Sequence, residues 1–78
     1  MQNMRIFNYI TNILHAIESD LSAPINFAPF CAQYKLSEPF LRERFLHLVH
    51  ETPEDYRHRL NLEAIVYRAL EQGVFNKL

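Results

Sequence analysis

Seventy-eight residues, with eight Lys and Arg against nine Asp and Glu, allow one small domain and exclude the general basic excess that nucleic-acid binders draw on. Nearly half the residues (49%) are hydrophobic, with six Phe, four Tyr and a single Gly, which is enough for a core but poor in the turn formers a sheet needs. The lone Cys31 cannot pair within the chain, no apolar run reaches membrane-spanning length, and the opening residues lack a secretory-leader pattern, so a cytoplasmic all-α protein with no membrane role is expected.

Taken in chain order, Ile6, Tyr9, Ile10, Ile13, Leu14, Ile17 and Leu21 recur every three or four residues and predict a first helix over about 4–21, stopped by Pro24. Asn26 is a plausible N-cap for a short second helix over 27–34, with Pro29 tolerated in its first turn. Phe27, Phe30, Cys31 and Tyr34 share one face of it. Cys31 reads as a small buried residue at a helix crossing. Lys35 and Leu36 then form a tight turn.

Ser37 is suited to cap a third helix over 38–49, with Glu38 and Pro39 in its first turn. Leu41, Phe45, Leu48 and Val49 are expected to face inward. Pro39, Arg42, Glu43 and Leu46 fall on the opposite face, where a leucine and a proline are unusual on idle solvated surface. Thr52-Pro53-Glu54-Asp55 is the strongest start signal in the chain and opens a fourth helix over 53–72, which Gly73 stops. That helix carries two apolar stripes. Tyr56, Leu60, Ala64 and Tyr67 suit the domain core. Leu62, Ile65, Val66, Ala69 and Leu70, with Phe75 beyond them, suit a second domain, a partner chain or a second copy.

Residues 25–63 resemble the first helix-turn-helix of the AraC/XylS family of transcription regulators. The likeness is carried by Ile25 to Ala32, then Leu36-Ser37, Phe40-Leu41, Arg44-Phe45, Thr52-Pro53, Tyr56, Arg59 and Leu62-Glu63, in order and without gaps. The resemblance implies a small four-helix, homeodomain-like domain spanning residues 1–78. Its third helix would be the recognition helix, lying in the major groove of double-stranded DNA. By position, Arg42 would donate to guanine, Glu43 would accept from cytosine, and Pro39 or Leu46 would touch a thymine methyl. Lys35, Ser37, Arg57 and Arg59 would meet phosphates. The family joins two such modules through a long helix, so the fourth helix would contact a second module, a homodimer mate or a related regulator. A bacterial cytoplasmic setting follows from the same likeness.

Besides showing one module where the family has two, this chain departs from the family pattern in three respects. Glu43 and Leu46 stand where members more often carry basic or polar groups. Asn61 replaces an arginine. Lys35 and His50 occupy turn positions where glycine is common. From Lys35 to Arg59 five basic residues face five acidic ones, so the stretch is locally neutral. A second reading follows: a protein-interaction module that pairs with or antagonises a full-length regulator without binding DNA itself. His47, His50, Glu43 and Glu51 fall at helical spacing but read as polar surface rather than as a closed metal site. No nucleophile motif or phosphate loop is present, so neither an enzyme nor a cofactor is expected.

Overall fold

The computed structural model describes residues 2–73, with side chains from Arg5 onward. Four α-helices follow one another: α1 (Gln2–Ser19), α2 (Ala28–Tyr34), α3 (Glu38–Val49) and α4 (Pro53–Glu71). The fold is all-α.

Each boundary has a local chemical cause. α1 ends two residues short of the expected Leu21. Asp20 Oδ1 accepts hydrogen bonds from the Ser22 amide (3.2 Å) and the Ser22 hydroxyl (2.7 Å), and this turn competes with another helical turn. α2 starts one residue later than predicted, at Ala28. Asn26 still serves its entry, since its Oδ1 accepts from the Ala28 amide (3.1 Å). Phe27 occupies the cap position itself and is buried. α2 closes on Lys35 in the left-handed region (φ 58°), and the Leu36 amide donates back to the Cys31 carbonyl at 3.2 Å.

α3 begins on Ser37, whose Oγ accepts from the Phe40 amide, and ends on a second left-handed residue, His50 (φ 69°). α4 begins on Thr52, whose Oγ1 accepts from the Asp55 amide at 3.0 Å, with Pro53 buried in the first turn. It ends at Glu71, with Gln72 as its C-cap and Gly73 following at φ 74°.

The core is six side chains: Ile10, Ile13 and Ile17 of α1, Phe27 before α2, and Leu41 and Phe45 of α3. The isoleucine face of α1 lies across α3, and Ile6, Leu14 and Leu21 extend that contact, as the spacing predicted. α2 packs against α3, and Tyr34 stacks on Tyr9 of α1 with ring centroids 3.7 Å apart. Cys31 is half-buried beside this core. Leu48 is a correction: it is 41% exposed, and only Leu41, Phe45 and Val49 of the expected inward set meet the core. Leu48 sits on the last turn of α3, where Ile6, Arg44 and His47 leave an open groove rather than a packed contact.

The first half of α4 is fastened to the body. Tyr56 meets Phe45 edge-on and donates its hydroxyl to Glu18 of α1 at 2.7 Å. Arg57 and Asn61 both donate to the Leu21 carbonyl just after α1, at 3.0 and 2.8 Å. From Leu62 to Arg68 every residue is exposed. The second half of α4 therefore projects from the body, and the molecule measures 52 × 22 × 16 Å.

Candidate nucleic-acid interface

The outer face of α3 follows from its register. Leu41 and Phe45 point into the core, so the residues half a turn away point out. Pro39, Glu43 and Leu46 are exposed there, as their spacing predicted. His47 and His50 are exposed beside them, one and two turns beyond Glu43. Their exposure fits the polar surface expected of them.

Arg42 is at the flank of this face, not at its centre. Its Nε donates to Glu38 at 2.8 Å and its Nη1 donates to Glu54, on the first turn of α4, also at 2.8 Å. Its guanidinium rests 4.7 Å from the centre of the buried Phe27 ring. The two carboxylates raise the pKa of Arg42, and the Arg42 hydrogen bond holds the Glu54 carboxyl below its usual range. Arg42 thus joins α3, α4 and the entry to α2.

Arg59 is similarly engaged. Its Nε and Nη2 donate to Glu51 Oε1 (3.0 and 2.7 Å), its Nη1 donates to Glu63 (2.9 Å), and the group lies over the Tyr56 ring. Arg57 is half-buried, with its Nη1 on the Leu21 carbonyl and its Nε enclosed without a partner. Asn61 donates to the same carbonyl. Arg44 packs over Phe40, with a long 3.8 Å contact to Glu43.

Of the eight residues assigned to DNA by position, Pro39, Glu43 and Leu46 share the outer face of α3, with Lys35 and Ser37 exposed at its N-terminal end. Ser37 Oγ already accepts from the Phe40 amide, which leaves its hydroxyl proton for an outside acceptor. Arg57 and Arg59 lie on α4 and serve contacts within the chain. The outer face therefore offers one carboxylate, loosely paired with Arg44, two imidazoles and two apolar groups, and its cations lie at the margins.

The residues assigned to a partner lie on the projecting half of α4. Leu62, Ile65, Val66 and Leu70 are exposed and Ala69 is half-buried; Phe75 lies outside the described residues. Ala64 and Tyr67, expected to face the core, are also exposed because they lie past the end of the body. Among the described residues, no group of three or more His, Cys, Asp or Glu is placed to hold a metal ion. Compared with known proteins, the chain matches no family model, no curated protein and no solved structure.

Proposed function

We propose that the chain is a helix-turn-helix module of a transcription regulator, presenting α3 to the major groove of double-stranded DNA. One observation carries the reading. A short helix, a left-handed turn at Lys35 and a Ser37-capped helix hold an outer face that no other described element covers. Base contact on that face falls to Pro39, Glu43, Leu46 and the neighbouring histidines. Lys35, Ser37 and the amides opening α3 stand where phosphates would approach. With so few free cations, a single copy binds weakly, and useful affinity requires a second module.

The test is fluorescence anisotropy of the purified chain against generic duplex DNA at about 50 and 200 mM salt. Weak binding that falls further with salt is expected. No binding at the lower salt overturns the reading. It would favour a second one, a module that pairs with or antagonises a regulator without touching DNA. The ion pairs that occupy Arg42 and Arg59 support this second reading.

A further inference from the structure

The projecting half of α4 offers a surface that no part of the described chain covers. At about 100° per residue, Leu62, Ile65, Val66, Ala69 and Leu70 fall within one arc of roughly 140°. That arc lies opposite the side on which Pro53, Tyr56 and Leu60 meet the body. Its charged neighbours, Glu63, Arg68 and Glu71, lie outside it. Ile65 is 58% exposed and Leu62, Val66 and Leu70 about half exposed. A segment of this length gains little helical stability by itself in water, so packing against something must supply it.

We infer that this arc is a homodimer surface on which a second copy of the chain packs its own α4. The inference deepens the partner requirement of the proposed function, but it stands on α4 alone. Three features select a second copy. The arc is uncharged, so an identical arc meets it without unpaired or like charges. It is self-complementary about a two-fold axis at Val66. Antiparallel pairing there sets Leu62 against Leu70 of the second copy, opposes the helix dipoles and leaves the two bodies at opposite ends. The third is area. The half-exposed side chains present on the order of 300 Å² of apolar surface per copy. With flanking Gln72, the pair closes an interface of roughly 700 Å², the scale of a weak, transient association. The association is therefore reversible, with a Kd on the order of micromolar to tens of micromolar.

Sedimentation equilibrium of the chain without DNA, from about 5 to 500 µM, tests this across the expected Kd. The expected result is a rise from the monomer mass of 9.3 kDa towards twice that value, with helicity rising in parallel. Val66→Glu should remain monomeric throughout, while Tyr67→Glu, on the other side of the helix, should still dimerise. In a Cys31→Ala background, Val66→Cys should form an intermolecular disulfide on oxidation. A monomer over the whole range, or dimerisation unaffected by Val66→Glu, overturns the inference. Because DNA is absent from every arm, failure here is separate from failure of the DNA reading.

Discussion

Replacing Arg42 by alanine separates two roles for the residue that is most base-like by position. In the structure it is a staple: one guanidinium holds Glu38, Glu54 and the Phe27 ring together. Its side chain is 35% exposed and those of its acidic partners about half exposed, so each ion pair is discounted to about 0.2–1 kcal/mol. Stacking over Phe27 adds about 0.5–1 kcal/mol, and the aliphatic stem covers part of that ring. The expected loss for Arg42→Ala is about 1–2 kcal/mol, which lowers Tm by about 4–8 °C for each kcal/mol in a domain of this size. Urea denaturation followed by far-UV circular dichroism measures it. A double-mutant cycle with Glu54→Gln should return a coupling of about 0.5 kcal/mol or more.

The pH dependence has a definite sign. The folded-state pKa of Glu54 is depressed by its hydrogen bond to Arg42. Its contribution is therefore complete above the unfolded glutamate pKa of about 4.3 and fades as the pH falls through the lower folded value. Two results would refute the staple: an Arg42→Ala stability equal to the parent's with no coupling to Glu54, or a loss of DNA affinity with no loss of stability.

Three further outcomes follow from the same geometry. Burial, and then the hydrogen bond to Glu18, push the Tyr56 hydroxyl up to about 12. An ultraviolet phenolate titration should show a late-ionising tyrosine that Tyr56→Phe removes, and because the folded pKa exceeds the unfolded value of about 10, the associated stability is present below pH 10 and lost as the pH rises towards 12. His50→Gly should stabilise the fold by about 0.5 kcal/mol, since relief of about 1 kcal/mol of left-handed strain is partly offset by glycine's larger unfolded-state entropy; a lower urea midpoint would show that His50 makes a stabilising contact. Leu41→Ala, at a fully buried core position, should cost about 2–5 kcal/mol and collapse amide dispersion in a proton NMR spectrum; a folded spectrum of undiminished stability would show that the core is not centred on α1 and α3.

The helices were legible because their signals are local. The Ser37 and Thr52 hydroxyls cap α3 and α4 as their positions predicted. Lys35 and His50, at the turn positions closing α2 and α3, are the two non-glycine residues with positive φ among the described ones. The misread boundaries were also local, but involved competing side-chain bonds: Asp20 on Ser22 shortens α1, and Asn26 on Ala28 moves the cap of α2 onto Phe27. Leu48 was misplaced because periodicity gives direction around a helix but not whether a neighbouring side chain closes over each turn. Glu38 and Glu63 stand at i,i+4 spacing from Arg42 and Arg59, but the more distant partners of Arg42, Arg57 and Arg59 were not legible. Glu54, Leu21 and Glu51 lie eight or more residues away in sequence, and only the packing of α4 on α1 and α3 brings them close.

Those distant partners bear most directly on function. A guanidinium that already holds two carboxylates must release them before it can meet a phosphate or a guanine edge, so each such contact begins from a paired state. The same pairs fix the angle at which α4 leaves the body, because Arg42 ties its first turn to α3 while Arg57 and Asn61 tie its middle to the end of α1. The arginines therefore serve the bearing of α4 more than the charge of α3. If the chain binds DNA as proposed, a module built in this way gains little affinity from a single copy and depends on what its projecting helix holds. Removing one acid distinguishes the two uses of Arg42. Glu54→Gln should weaken the fold modestly, and if Arg42 reaches DNA when freed, the same change should strengthen binding at low salt. Weakened folding with unchanged DNA affinity would confine Arg42 to the scaffold and leave base contact to Glu43, Leu46 and their neighbours.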